Sequence, residues 1–173
     1  LSDTLSLHDA LPICHPEVVV GQEYRIRGVG SGLLLTGGGL GAYLKQEKET
    51  GSSRQTWRVV ADGAGLNLKQ SYSMATPENS SDGALFYMWD LPTAGQRVSL
   101  ERNSDGAYRI KTDLPGDKVY NVQGGSTDSG ADVILFGSHG GDNQLWTFEP
   151  VGDAPTQTDR IDSGNDYYLR NVK

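Results

Sequence analysis

Short runs of alternating apolar and polar residues follow one another through residues 22–150. The last third shows this most clearly, with the runs AYRIK, KVYNV, DVILF and QLWTF separated by Gly, Asp, Asn or Pro. A period of two residues with turn-forming residues between the runs is typical of β-strands. No stretch of this range has a convincing helical period. The pattern therefore predicts an all-β domain.

The pattern also repeats along the chain. The motif Gln-x-Trp occurs at residues 55–57 and 144–146, and residues 96–98 have the same form with valine in place of tryptophan. The three glutamines are 41 and 48 residues apart. Such regular self-similarity indicates copies of one structural unit.

Two further marks recur with the same spacing. YRIR, LNLK and YRIK begin at residues 24, 66 and 108, and Gly-Ala precedes a strand-like run at residues 41, 83 and 130. We therefore expect three repeats of about 42–48 residues with four strands each. Their expected ranges are about 22–61, 62–102 and 103–150.

A unit of this length cannot bury an apolar face by itself, so the three copies are expected to share one core. Three copies of four strands predict a threefold barrel, the β-trefoil. On the last strand Gln144, Trp146 and Phe148 share one face, which we expect to be the core face. The glutamine amide both donates and accepts hydrogen bonds, so we expect it to tie the preceding polar loop to this strand.

The two ends of the chain lie outside the repeats. Residues 1–13 resemble a translated sequencing adaptor and do not read as a signal peptide, so we treat them as a leader foreign to the domain and 14–21 as a lead-in. The polar stretch 151–165 predicts a linker. Residues 166–173 contain YYLRNVK, which echoes YRIRGVG at 24–30, and are expected to be the first strand of a truncated second trefoil. A second trefoil would add avidity.

Composition limits the possible partners. The formal net charge is −7, which argues against nucleic acid or an anionic membrane as partner. No apolar run approaches the ~20 residues of a membrane span, so we expect no membrane insertion. The only cysteine, Cys14, allows no internal disulfide, and with three scattered histidines it offers no structural zinc site. The compartment stays open, with an extracellular location favoured.

No catalytic set stands out in the sequence. There is no recognisable Ser/His/Asp group, phosphate-binding glycine loop or pair of catalytic carboxylates. We therefore expect a protein that is not an enzyme and needs no cofactor.

The Gln-x-Trp endings, each preceded by a run of the form Gly-Ala-x-Val-x-Leu-aromatic, resemble the ricin B-type lectin trefoils. The resemblance covers 22–150 and is closest in the third repeat. It implies binding of a mono- or oligosaccharide, free or as part of a glycoprotein or polysaccharide, in up to three shallow pockets. Each pocket has a carboxylate or amide after the second strand, an aromatic platform on the third, and polar groups before Gln-x-Trp. Such groups suit sugars, whose hydroxyls hydrogen-bond and whose ring faces stack on aromatic rings.

The resemblance assigns five residues to the third pocket. Asn121 takes the position where the family usually has Asp, which keeps an acceptor but loses a charge-assisted hydrogen bond. Phe136 takes the platform position, His139 lies in the loop, and Asn143 with Gln144 precedes the tryptophan. Three of these residues also have a structural interpretation. Phe136 could be a partly buried strand residue, His139 a solvated loop residue and Asn143 a turn cap.

The second pocket has Trp89 as platform, followed by Asp90, with Gln96 closing the repeat. Its acid position is ambiguous, and Asn79 and Asp82 are both candidates.

In the first repeat the platform position falls on Glu47, the acid position lies near Thr36, and Arg54 precedes Gln55. Because no aromatic residue is present, we expect this pocket to be inactive.

The alternative function is a trefoil protease inhibitor that acts through one exposed, rigid loop, since a fold does not fix a function. A lectin of this type needs a polar loop linked to Gln-x-Trp in each pocket, whereas a protease inhibitor does not.

Overall fold

The computed structural model describes residues 17–153, which form twelve β-strands and three short 3-10 turns. The expected leader at 1–13, most of the linker and the expected strand at 166–173 lie outside the described residues. No helix in the described part of the chain is long and apolar enough to cross a membrane. The strands are β1 (Glu23–Gly28), β2 (Leu34–Thr36), β3 (Lys45–Glu47), β4 (Trp57–Asp62), β5 (Gly65–Gln70), β6 (Ser73–Pro77), β7 (Phe86–Trp89), β8 (Val98–Arg102), β9 (Tyr108–Thr112), β10 (Lys118–Val122), β11 (Val133–Gly137) and β12 (Trp146–Pro150).

Six of the strands close into a barrel. Antiparallel pairing runs from β1 to β4, β5, β8, β9 and β12, and β12 pairs with β1 again. These are the first and fourth strands of the three expected repeats. Core-facing residues meet at equivalent points of the three long ladders: Ile26 opposite Phe148, Val59 opposite Leu68, and Leu100 opposite Ile110.

The remaining six strands form three hairpins, β2–β3, β6–β7 and β10–β11, and the hairpins join one another. Single bridges link Tyr43 to Tyr87, Leu85 to Ile134, and Lys45 to Asp132, so that each hairpin contacts both others. A six-stranded barrel with a triangle of three hairpins is a β-trefoil. The predicted fold class is confirmed.

One glycine in each hairpin makes this triangle possible. Gly41, Gly83 and Gly130 have φ angles of 81°, 91° and 94°, a region that favours glycine because a side chain would be strained there. Each of these glycines donates its backbone N–H to a carbonyl of the next hairpin. The three bonds are Gly41 to Met88 (2.7 Å), Gly83 to Leu135 (2.8 Å) and Gly130 to Gln46 (2.7 Å).

The residues that end each repeat lie in one core. Trp57, Val98 and Trp146 are all buried and belong to the same hydrophobic cluster, as the alternation predicted. Each indole also donates its Nε1–H to a carbonyl of the second strand of its own repeat, Trp57 to Leu35 at 2.8 Å and Trp146 to Tyr120 at 3.3 Å. These bonds satisfy the polar end of a side chain that is otherwise packed among apolar groups.

The core departs from threefold symmetry in the size of its side chains. Leu35, Ala75 and Tyr120 occupy equivalent positions of the second strands, each opposite the central residue of the third strand. The Tyr120 ring packs on Phe86 with 4.1 Å between ring centroids. Ala75 and Tyr120, the smallest and the largest of the three, both belong to the same core cluster.

Candidate functional site

Each repeat contains a buried glutamine whose amide joins three segments. The amide nitrogen donates both hydrogens, one to a side-chain oxygen near the end of the second strand and one to a carbonyl at or just after the end of the third strand, while Oε1 accepts a backbone N–H from the loop. The sets are Gln55 with Thr36 (3.3 Å), Lys48 (2.8 Å) and Thr50 (2.8 Å); Gln96 with Thr76 (2.8 Å), Leu91 (2.8 Å) and Thr93 (2.9 Å); and Gln144 with Asn121 (2.9 Å), Gly137 (2.9 Å) and His139 (2.8 Å).

The glutamine sets confirm that this residue ties the polar loop to the strand. They also show a contact that the sequence did not predict: the same amide donates a hydrogen bond to a side chain on the second strand of its repeat. Gln96 and Gln144 are 4% and 0% exposed, and each has both donor hydrogens engaged within the protein. Their contribution to a ligand site is therefore to fix the backbone and side chains around them.

In the third repeat the glutamine belongs to a connected set of amides. Asn143 Nδ2 donates to Asn121 Oδ1 at 3.1 Å and to the Val122 carbonyl at 3.0 Å. Asn121 is 3% exposed, and its own Nδ2 also donates to the Val122 carbonyl at 3.0 Å. The oxygen of Asn121 thus accepts from Asn143 and from Gln144. Within residues 17–153, Asn143 Oδ1 has no donor partner, which leaves it as an acceptor at the half-buried edge of the set.

Two rings lie beside these amides. Phe136 is 37% exposed at the end of β11, and its ring is perpendicular to that of His139, with centroids 6.1 Å apart. His139 Nδ1 accepts the backbone N–H of Gly141 at 3.1 Å, so in the neutral ring the proton is on Nε2. The backbone N–H of His139 in turn donates to Gln144. All five residues assigned to the third pocket are therefore linked by direct contacts.

The second repeat keeps the aromatic residue but lacks the amide set. Trp89 is half-buried, lies opposite Met74 and has its ring centroid 5.8 Å from that of Tyr87. The next residue, Asp90, is exposed. The position of Asn143 is taken by Gly95, where a β-carbon would lie 2.5 Å from Pro77 Cγ and 2.9 Å from Leu114 Cδ1. Because Pro77 and Leu114 fill this space, no polar side chain can project there.

Neither candidate for the acid position of the second repeat lies there. The residue that contacts Gln96, as Asn121 contacts Gln144, is Thr76. Asn79 Oδ1 instead caps a turn by accepting the N–H of Ser81 at 2.8 Å. Sequence comparison missed Thr76 because the stretch SYSMATPENSSDG, which contains it, aligns poorly with the other two repeats.

Asp82, the other candidate, reaches across to the third repeat. Its carboxylate binds Lys118 Nζ on β10 and accepts the backbone N–H of Gly137 at 2.9 Å. The hydrogen bond from Lys118 holds the pKa of Asp82 below its ordinary value. Since Gly137 directly follows Phe136, Asp82 supports the end of the strand that carries the aromatic ring.

The first repeat has the same framework with different side chains. Thr36 contacts Gln55, and Arg54 Nε donates to the Gly37 carbonyl at 3.2 Å, as Asn143 does to Val122. Glu47 lies opposite Leu34, the position that corresponds to Trp89 and Phe136. The sequence predicted this lack of an aromatic platform.

Comparison of the sequence with known proteins found similarity over part of this chain. No family model matches the chain. Flavastacin from Elizabethkingia meningoseptica is 42% identical over 51 residues, which are 30% of this chain and 12% of flavastacin. The chain therefore matches a small part of that longer protein.

The match to this chain extends over nearly the full length of several solved structures, among them a designed protein and a lectin. The designed threefold-symmetric protein ThreeFoil is 29% identical with a TM-score of 0.68, over 75% of this chain and 99% of ThreeFoil. The ricin B-like lectin of Macrolepiota procera, solved in complex with lactose, is 23% identical with a TM-score of 0.68, over 78% of this chain and 99% of the lectin.

The chain thus has the β-trefoil fold of ricin B-like lectins, as its Gln-x-Trp endings indicated. The likeness extends over the barrel and the hairpin triangle together, since it covers about three quarters of the chain.

Proposed function

We propose that residues 22–150 are a non-catalytic carbohydrate-binding module whose main pocket lies in the third repeat, with a weaker pocket in the second. The observation that carries this proposal is the hydrogen-bonded set of Asn121, Asn143 and Gln144 beside the exposed ring of Phe136. The ligand is a neutral mono- or oligosaccharide, either free or as part of a glycoprotein or polysaccharide.

The division of labour within the third pocket follows from burial. Asn121 and Gln144 are buried and bonded to each other, so they hold Asn143 and the loop in place. Asn143 Oδ1 accepts a hydrogen bond from one sugar hydroxyl, and the Nε2–H of His139 donates a hydrogen bond to a second hydroxyl. Phe136 supplies the flat apolar surface on which the ring face of the sugar stacks. Groups fixed in advance lose little conformational entropy on binding, which partly compensates for the shallowness of such a pocket.

The second pocket relies on Trp89 for stacking and on Asp90 for hydrogen bonding. It has Thr76 and Gly95 where the third repeat has Asn121 and Asn143. With fewer fixed polar groups, it binds the same class of ligand more weakly.

The module serves a longer protein in this proposal. The match to flavastacin covers 12% of that chain, which fits a binding domain that accompanies another domain. The ligand of the Macrolepiota procera lectin, lactose, is the natural first probe.

Calorimetric titration with lactose, followed by a glycan array, tests the proposal. The expected result is saturable binding with a dissociation constant at or below the millimolar range, weakened about tenfold or more when Asn143 is replaced by alanine. Arg54→Ala is the matched control, because Arg54 holds the corresponding position in the first repeat. No binding of any neutral glycan at millimolar concentration would contradict the proposal, and specific inhibition of a protease would favour the inhibitor alternative.

A further inference from the structure

A groove of about 910 Å³ lies on the outer wall of the barrel, and none of its lining residues is assigned to the two proposed pockets. It is bounded by the outward faces of β1, β4 and β5, by the β2–β3 loop and by the β5–β6 turn. Although the chain carries a net charge of −7, the described residues that line this groove include four cations and one carboxylate. The cations are Arg25, Arg54, Arg58 and Lys69, and the carboxylate is Glu23.

The centre of the groove contains a cross-strand pair of like charges. Arg58 on β4 lies directly opposite Lys69 on β5. Like charges at opposed positions of an antiparallel pair are destabilising. Glu23 pairs with Arg58 at 3.1 Å, but within residues 17–153 no carboxylate pairs with Lys69. The threefold framework provides two internal comparisons for this pair, Ser99 opposite Lys111 and Thr147 opposite Arg27.

The equivalent cations in the other two repeats are neutralised. Lys111 pairs with Asp117 at 2.6 Å and with Glu101 at 3.5 Å. Arg27 pairs with Glu149 at 2.6 Å. Glu101 and Glu149 occupy the same position of the fourth strand, so an acid there is the arrangement that two of the three repeats share.

In the groove the acidic position of the fourth strand carries an apolar residue. Val60 stands at the β4 position that corresponds to Glu101 and Glu149, and the two-residue turn between β5 and β6, Ser71 and Tyr72, contains no carboxylate. Both Val60 and Tyr72 line the groove, and Tyr72 is 63% exposed. One location therefore combines a cross-strand pair of cations, an apolar residue where the other two repeats have glutamate, and an exposed aromatic ring.

We propose that this groove binds an acidic oligosaccharide, with a carboxylate or sulfate group of the sugar between Arg58 and Lys69. Guanidinium groups bind such planar or tetrahedral anions with paired hydrogen bonds, and the anion removes the repulsion between the two cations. Tyr72 stacks on a sugar ring, and the neighbouring Ser71 also lines the groove. The site shares no lining residue with the proposed pockets for neutral sugars and differs from them in ligand charge.

The test is calorimetric titration with three tetrasaccharides: tetragalacturonate as the carboxylate probe, a carrageenan tetrasaccharide as the sulfate probe, and galactotetraose as the neutral control. We expect at least one acidic probe to bind at least tenfold more tightly than galactotetraose. Its affinity should fall with added NaCl, because exposed charges are screened. The tighter of the two acidic probes identifies the anionic group.

Val60→Glu is the informative variant. It restores the glutamate that two repeats already carry, so folding is expected to be retained, and it should weaken binding of the acidic probe at least tenfold. Lys69→Gln should weaken it as well, whereas Lys111→Gln, the equivalent change in the third repeat, should leave it unchanged. Binding of lactose should be the same in all three variants.

Three results would overturn the inference. The first is no binding of either acidic probe at millimolar concentration. The second is equal weakening by Lys111→Gln and Lys69→Gln, which would indicate an effect of overall charge. The third is displacement of the probe by sodium sulfate at the same concentration, which would indicate a simple anion site. Loss of lactose binding in Asn143→Ala with retained binding of the acidic probe would support two separate sites.

Discussion

Asn143 and Asn121 are joined by a hydrogen bond of 3.1 Å between the amide nitrogen of the first and the amide oxygen of the second. The bond connects the loop before Trp146 to the end of β10, and Gln144 donates to the same oxygen at 2.9 Å. The third repeat is therefore the one repeat of the described chain in which two side-chain amides converge on a third. This arrangement underlies the choice of the third pocket as the main sugar site.

Replacing Asn143 by alanine should weaken sugar binding without unfolding the domain. The side chain is half-buried, so its loss leaves no large cavity, but it removes both the free Oδ1 acceptor and the bond to Asn121. We expect a loss of about tenfold or more in lactose affinity, consistent with about 1.5 kcal/mol for a ligand hydrogen bond. Calorimetry measures the affinity, and thermal unfolding confirms that the melting temperature stays close to that of the wild type. An unchanged affinity would remove Asn143 from the site.

Phe136→Ala and Trp89→Ala together rank the two pockets. Both residues occupy the platform position of their repeat, but only Phe136 lies beside an amide set. We expect Phe136→Ala to reduce lactose affinity at least tenfold and Trp89→Ala to reduce total binding far less, because the second pocket contributes little at low ligand concentration. A larger loss from Trp89→Ala would reverse the ranking. Phe136→Trp serves as the control, since it should retain stacking and binding.

Gln144 is expected to matter for stability first and for binding second. Its amide makes three hydrogen bonds at 0% exposure, to Asn121, Gly137 and His139. Gln144→Leu removes the partners of the Gly137 carbonyl and the His139 N–H and leaves Asn121 Oδ1 with Asn143 as its donor, which should cost about 1–3 kcal/mol in the free energy of unfolding. Urea denaturation measures this cost. Trp146→Ala, which empties part of the core, should cost roughly 3–5 kcal/mol and provides the upper reference.

The sequence alone was sufficient for the fold because the relevant signals are local and occur three times. Alternation identified the core faces of β1, β4 and β12, and the Gln-x-Trp spacing identified how the strands group. The glycines that repeat at 41, 83 and 130 each donate a backbone hydrogen bond to the next hairpin of the triangle. Each of these features depends on residues close together in the chain.

Other features depended on contacts that the sequence does not contain. Thr76 was missed because the stretch SYSMATPENSSDG aligns poorly with the other repeats. Asp82 was a candidate for the acid position of the second repeat, but it binds Lys118 and Gly137 of the third. The opposition of Arg58 and Lys69 follows from the register between β4 and β5, which composition and spacing leave open. The overall negative charge concealed this local excess of cations.

The Asp82–Lys118 contact should make stability depend on pH in acid. Because the pKa of Asp82 in the folded protein lies below its ordinary value of 3.8, the contact stabilises the fold above that pH, and the contribution is lost as the pH falls through the folded-state pKa. Asp82→Asn should therefore lower the urea midpoint at pH 6, and the difference from wild type should shrink below pH 3.8. Asp62→Asn, which affects a surface pair with Arg97, is the control. A difference that does not change with pH would show that the carboxylate charge is not what stabilises this contact.

The hydroxyl of Tyr120 is expected to be dispensable for folding. The ring is fully buried against Phe86, burial raises the pKa of the phenol, and within residues 17–153 no hydrogen-bond partner is present for its oxygen. A buried hydroxyl without a partner costs about 1–3 kcal/mol, whereas phenylalanine keeps the ring contacts and removes that cost. Tyr120→Phe should therefore leave the melting temperature unchanged or raise it, and Tyr120→Leu, which loses the aromatic packing, should lower it. A clear destabilisation by Tyr120→Phe would show that the hydroxyl contributes a stabilising hydrogen bond in solution.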